Sequence, residues 1–283
     1  MQYYFFVVLS SVLFSMQFLC QQKFQEKCGT GLEKSLGYSL HKGLTISIIM
    51  FILSGFRPEF TLFSFLISGL YALCYTLMIY FSLKAFSVAN LSIYSVFTML
   101  GGMLLPFVVG VSFFGENLNI IKIICCLMVI VAVLLNARKG SGSKKAFLYY
   151  MAVFTLNGSV GAISKIHESS GFLNVGPQSF MMYSGIWTII ICSIWILAIG
   201  KKIPLLKDKR FIYSAGDGFL NGFGDLLLLI SIAKLDASVQ YPLVTGGVMV
   251  FSTIVSIIRR EKMRKIEYIS AGVAFLAAVM MAF

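Results

Sequence analysis

The chain has 283 residues, 58% of them apolar and only 12% charged, with a formal net charge of +12 and a mean hydropathy of +0.89. Its apolar runs exceed the roughly eighteen residues that mark a membrane span, which excludes an ordinary soluble domain. The Lys and Arg residues fall in short segments between those runs rather than in one basic domain, so the excess charge reads as topology and lipid headgroup contact, and no nucleic-acid partner is expected.

Ten spans are predicted, over residues 3–21, 37–54, 61–83, 88–113, 119–136, 146–165, 178–199, 211–233, 238–258 and 266–283. The first lacks a positively charged n-region and a small-x-small cleavage site, and reads as a retained span. Beyond the loop after span 1, the connections are short and leave no room for a separate soluble domain. Five of the six cysteines, Cys20, Cys74, Cys125, Cys126 and Cys192, lie in or beside apolar runs, with Cys28 in a loop. They define no disulfide or metal framework, and no cofactor is expected.

A charged, glycine- and serine-rich linker at 138–145 divides the chain into two sets of five spans, 1–137 and 146–283. Lys23 closes span 1 as Lys165 closes span 6, and Leu83-Lys-Ala-Phe86 can be laid over Ile232-Ala-Lys-Leu235. Phe114-Gly-Glu-Asn-Leu118 has a weaker echo in Arg259-Arg-Glu-Lys-Met263. A repeat with an odd number of spans is inverted in the membrane. The expected fold is therefore an all-α polytopic membrane protein, with ten transmembrane helices arranged as two inverted five-helix repeats.

Of the 23 Lys and Arg residues, 19 fall in the segments after odd-numbered spans, among them Lys42, Lys209 and Arg210. Four, Arg57, Lys122, Lys165 and Lys234, fall on the opposite side. The positive-inside rule makes the richer side cytoplasmic and puts both termini on the non-cytoplasmic side of a plasma or inner membrane.

Span 8 combines a long apolar run with Asp217, Asn221 and Asp225 at i, i+4 and i+8, stacked on one helical face. A charge at mid-bilayer costs about 3 kcal/mol on insertion scales, so such residues need a partner or a function. Asp225, near the middle of the span, is the foremost candidate as a protonatable or cation-binding carboxylate. Asp217 lies about 12 Å along the axis, from eight residues at 1.5 Å rise, near the Lys-rich end. Hydration there, or pairing with Lys209 or Arg210, competes with a substrate role. The positions matching Asp225 and Asp217 in the first half are about Thr76 and Ser68, so the halves differ in charge.

Mid-span Gln17, Tyr75, Tyr94, Asn157, Tyr183, Tyr241 and Thr245 are further candidates for a common substrate- or proton-binding cavity. Each alone better suits an interhelical hydrogen bond than ligand contact, and it is as a set facing one cavity that they point to a ligand. Pro106 and Pro242 interrupt helical hydrogen bonding and are candidate hinges. Glu116 and Glu261, at span ends, suit helix capping, headgroup contact or a loop salt bridge, and Trp187 and Trp195 suit packing. His41 and His167 form no recognisable metal motif. Gly222-Phe-Gly-Asp225 matches a string found in intramembrane aspartyl proteases, but that chemistry needs two carboxylates about 3 Å apart and normally on different helices. No enzymatic activity is expected.

The chain resembles the drug/metabolite transporter superfamily in its ten-span EamA-like branch. The segment SLKAFSVANLSIYSVF resembles that family's Ala-Leu-x-Tyr-x-x-Ala signature, and Phe114 to Leu118 resembles its Gly-Glu-x-Leu turn. Ala233 to Leu243 followed by Glu261 repeats the scheme loosely, with Arg260 in place of the turn glycine. The resemblance implies a membrane transporter of small metabolites or drugs. Together with the inverted repeat, the absence of a nucleotide-binding loop and Asp225, it makes the expected function a secondary transporter, an exporter of small metabolites such as amino acids working by alternating access, with protons as a coupling ion. The alternatives are a proton-coupled antiporter of organic cations, drugs or polyamines, and a lipid flippase or non-transporting membrane scaffold. Expected partners are a small-molecule solute, membrane lipids and protons.

Overall fold

The computed structural model describes residues 2–86, 91–117, 119–137, 144–169, 174–201, 211–258, 260 and 265–282. These form α1 (Gln2–Cys28), α2 (Leu32–Leu53), α3 (Leu62–Phe86), α4 (Leu91–Phe114), α5 (Ile120–Ala137), α6 (Lys144–Ser169), α7 (Pro177–Ala198), α8 (Ile212–Ile232), α9 (Ala237–Ile258) and α10 (Lys265–Ala282). No strand occurs among the described residues. Eight of the helices are long and apolar enough to cross a membrane; the apolar windows of α5 and α10 are shorter. The protein is thus a helical, membrane-embedded, multi-pass protein, its outward faces studded with exposed Leu, Ile and Phe that suit lipid contact. Most of the linker, Lys209, Arg210 and Glu261 lie outside the described residues.

The predicted loop after span 1 is largely helical. Helix α1 continues to Cys28 and α2 begins at Leu32, because Gln, Lys and Glu are good helix formers that a search for apolar runs passes over.

Six helices surround the centre. The main pairings are α1 with α8 and α9, α3 with α6 and α7, α2 with α7 and α8, and α4 with α6 and α9, while α5 and α10 pack together on the flank against α4 and α9. Close approach depends on small residues, as expected where lipid removes most of the hydrophobic drive to association. A Cβ built on Gly101 would stand 1.9 Å from the carbonyl oxygen of Phe154, and one on Gly158 2.7 Å from that of Gly101. The backbones of α4 and α6 therefore touch. Gly43 and Gly185 make the equivalent reciprocal contact between α2 and α7, at 2.9 and 2.7 Å.

Each end of the bundle is tied by polar contacts. At one end Glu116, just beyond α4, accepts the backbone N–H groups of Ala237 and Ser238 at 2.9 Å each and so caps α9. It also pairs with Lys165 of α6 at 2.6 Å, its side chain only 5% exposed. At the same end Gly176 donates to Glu59 at 2.8 Å, joining the α2–α3 connection to the start of α7. At the opposite end Lys27 donates to Tyr213 at 2.5 Å, and Lys201 stands 3.8 Å from Glu33.

Burial opposes ionisation of Glu116, but the Lys165 ammonium and the two backbone donors outweigh it and hold the carboxyl below its ordinary value of 4.5. Its folded value lies below its unfolded one, so its contribution to stability is complete above about pH 4.5 and fades as the pH falls through the folded value. Glu116→Gln is expected to melt at lower temperature than the parent at neutral pH, and the gap should close on acidification below pH 4.5 in detergent melts; a gap independent of pH would refute this. Gly101→Ala should lower the melting temperature by several degrees, since backbone atoms occupy the new methyl's space and overpacking costs about 1–3 kcal/mol. Gly272→Ala, with nothing within 4 Å, should leave it unchanged or slightly raised.

Candidate functional site

Helix α8 carries both intramembrane carboxylates, and the structure gives them different surroundings. Asp217 is fully buried. Its Oδ1 receives the Lys42 ammonium at 2.8 Å, and its Oδ2 accepts Gln21 Nε2 at 3.1 Å and the Tyr38 hydroxyl. Lys42, 2% exposed, also donates to the Tyr75 hydroxyl at 2.6 Å, with its ammonium 4.4 Å from the Tyr75 ring centre. The described ion-pair partner of Asp217 is thus Lys42, counted in the sequence as a loop cation, while Lys209 and Arg210 lie outside the described residues. The reason is the packing of α8 on α2: a Cβ on Gly218 would be 2.9 Å from the Lys42 carbonyl, and Ser214 donates to the Tyr38 carbonyl at 2.8 Å. Two helices that close leave the lysine nowhere to go but the acid.

Asp225, two turns further along α8, is half-buried and faces a central cavity of about 100 Å³. It accepts the Tyr71 hydroxyl at 3.1 Å and a hydrogen bond from Asn221. Tyr71 and Tyr75 stack with centroids 6.0 Å apart and form one wall, and Asn221 donates to Gln17 at 3.3 Å, which donates to Tyr75 at 3.3 Å. A continuous polar chain therefore runs from Asp217 through Lys42, Tyr75, Gln17 and Asn221 to Asp225. A second small cavity of about 10 Å³ holds Lys42 on the far side of Tyr71, Tyr75 and Asn221, which line both spaces.

Of the residues singled out in the sequence, Asp225, Asn221, Gln17, Tyr75, Asn157, Tyr241 and Thr245 line the central cavity. Asn157 bridges α6 to α4 through the Thr98 carbonyl at 2.7 Å, and Tyr241 bridges α9 to α6 through the Gly161 carbonyl at 2.9 Å. Asp217 and Tyr183 are placed elsewhere. Asp217 lies behind the Tyr75 wall, and Tyr183 donates to the Glu59 carbonyl at 2.7 Å and packs edge-on against Phe60 and Phe65, so it anchors a loop near one end. The side chain of Tyr94 lies outside the described residues. Pro106 and Pro242 sit inside continuous α4 and α9, and the ring of Pro106 occupies the space beside Gly161. His167 is buried against Ser64, Glu168 and the Phe180 ring, while His41 stacks on Phe211.

Lys42, Tyr38, Gln21, Tyr71 and Gln240 escaped the sequence reading. Lys42 lies inside the apolar run of span 2, where a buried countercharge was to be sought. Tyr71 is one helical turn before Tyr75 and shares its face.

No family model and no curated protein matches the sequence. Among solved structures, one described only as the crystal structure of a protein superposes on 99% of this chain and 96% of its own length, with a TM-score of 0.74 at 13% identity. At that identity the likeness concerns the fold alone.

The buried pair generates a prediction. Lys42→Met should leave Asp217 uncompensated and destabilise the protein by about 3–5 kcal/mol, as breaking a buried ion pair does. The double variant Lys42→Met/Asp217→Leu should recover a large part of that loss in denaturation experiments in detergent. Losses that simply add would show the two groups to be uncoupled.

Proposed function

We propose that this protein is a secondary transporter that carries a small polar or amphipathic metabolite through the central cavity by alternating access, as an exporter of the drug/metabolite transporter type. The observation that carries this reading is a symmetry in the helix pairings. Replacing each helix by the one five places along the chain turns α1–α8 into α6–α3, α1–α9 into α6–α4, and α2–α8 into α7–α3, all of which occur. The pairs α2–α7, α4–α9 and α5–α10 turn into themselves. The helices lining the cavity, α1, α3, α4 and α6, α8, α9, are three such exchanged pairs. Ten spans in two inverted five-helix repeats account for this pattern, and a site between inverted repeats is the arrangement that lets one solute position open to either face in turn.

The ion pairs add a second support. Lys42–Asp217 and Glu116–Lys165 both join a residue before the 138–145 linker to one after it, and Glu116 lies beyond the C-terminal end of α4, at the end of the bundle opposite Lys27 and Tyr213. Rocking one repeat on the other would load these contacts unequally. Moving Lys42 and Lys165 from the loops into the bundle still leaves the end that bears Lys27, Lys34 and Lys201 the more basic. That supports a cytoplasmic location for it and, in a plasma membrane, termini on the other side. Pro106 and Pro242, on the exchanged pair α4 and α9, are the proposed bending points, since each removes a helical hydrogen bond.

The test is reconstitution of the purified full-length chain in proteoliposomes, preloaded with members of a panel of amino acids, amines and nucleobases. Saturable counterflow of at least one labelled solute, absent from protein-free vesicles, is expected. Linear leak alone under both solute and proton gradients would sink the transporter reading, and headgroup-dependent lipid scrambling would replace it with a flippase.

A further inference from the structure

Resting on the reading of the cavity as the solute site, we infer that the solute is a small organic ammonium ion with no carboxylate of its own. Charge and hydrogen-bonding capacity point the same way. Among the described residues the acidic and basic side chains beside the cavity are the buried Asp217 and Lys42 and the half-buried Asp225. Lys42 and Asp217 pair at 2.8 Å, which leaves Asp225 as the acid on the cavity side without an ion-pair partner among the described residues. No Lys, Arg or His lines the cavity among the described residues. A carboxylate on the solute would face Asp225 with no cation to receive it, because the Lys42 ammonium is held by Asp217 and Tyr75 behind the tyrosine wall.

Several donors of the polar wall are engaged by the protein itself. Tyr71 donates to Asp225, Tyr241 to the Gly161 carbonyl, Asn157 to the Thr98 carbonyl, and Gln240 Nε2 to the Leu228 carbonyl at 3.0 Å. Asp225 accepts from Tyr71 and Asn221 and keeps acceptor capacity toward the cavity. A ligand that engages it is favoured by N–H donors and a positive charge. The remaining lining is aromatic and aliphatic, with Phe14, Phe18, Tyr71 and Tyr75 on one side. Ring faces suit an alkylammonium rather than a bare metal cation, which requires a shell of oxygen ligands. The volume, about 100 Å³, corresponds to about three waters and sets the solute at a few heavy atoms in this conformation.

The experiment uses purified full-length protein in detergent with four probes of similar bulk or simpler charge: n-propylammonium, alanine, propionate and sodium ion. Binding is read by the shift in melting temperature and by calorimetry. In parallel, modification of Asp225 by a hydrophobic carbodiimide is followed by peptide mass spectrometry. The expected result is saturable binding of n-propylammonium and protection of Asp225 by it. Alanine and propionate should bind at least about tenfold more weakly, the loss expected when a charge-assisted hydrogen bond is replaced by repulsion.

Asp225→Asn should weaken the amine about tenfold or more, while Tyr71→Phe, which keeps the carboxylate, should change it only a few-fold. Should Asp225→Asn fail to fold, carbodiimide protection in the parent protein decides the matter. Equal or tighter binding of alanine or propionate, with Asp225 protected, would overturn the ammonium assignment and leave the cavity as the solute site. Sodium reproducing the full effect would overturn it likewise. Amine binding that neither protects Asp225 nor weakens in Asp225→Asn would overturn the assignment and the cavity reading together.

Discussion

An ionised side chain within an apolar bundle is tolerated only if another group within the bundle answers it, and the rest of this structure is arranged around one such answer. Asp217 accepts an ammonium, a phenol and an amide, drawn from α2 and α1, and has little capacity left for a solute. Because one lysine satisfies one acid, the second acid on the same helix is left on the cavity side without an ion-pair partner among the described residues. Asp225 is therefore set apart from Asp217 by where Lys42 goes. It is not set apart by any difference between the two side chains.

That arrangement depends on how closely helices approach. Ser and Gly, rather than large apolar residues, fill the seams. On α1, Ser10 donates to the Gly224 carbonyl at 3.0 Å and Ser15 to the Val248 carbonyl at 3.3 Å, binding α1 to α8 and α9. In the same α1–α8 seam Gln17 meets Asn221 and Gln21 meets Asp217, an antiparallel ladder with one-turn steps on both helices. Amides placed in this way satisfy polar groups without exposing them to lipid. They also join the Lys42–Asp217 pair to the cavity through Tyr75.

The two ends of the bundle are held by different chemistry. At one end a single carboxylate, Glu116, caps α9 and neutralises Lys165. Toward the other, the Lys42–Asp217 ion pair is buried beside the cavity itself. Exchange symmetry in the backbone thus coexists with asymmetry in charge, in keeping with Thr76 and Ser68 standing near the positions that match Asp225 and Asp217. In the transporter proposed above, such a frame gives two faces that need not open at equal cost.

Much of this was legible in the chain. Membrane class and helical fold follow from the lengths of apolar runs, since in hydrocarbon the backbone must satisfy its own hydrogen bonds. The i, i+4, i+8 spacing placed Asp217, Asn221 and Asp225 on one face, and most of the mid-span polar residues noticed in the sequence line the cavity, because polarity at that depth is seldom without a partner. What depended on tertiary structure was which partner. Lys42, Tyr38 and Gln21 come to Asp217 from two other helices, and Tyr183, indistinguishable in sequence from Tyr75, is carried off to Glu59 at one end. Helical periodicity determines which face a residue occupies, but the rotation and approach of one helix against another depend on contacts between residues hundreds of positions apart. Only the packed bundle could decide which of the two carboxylates was paired with a lysine and which was left facing the cavity.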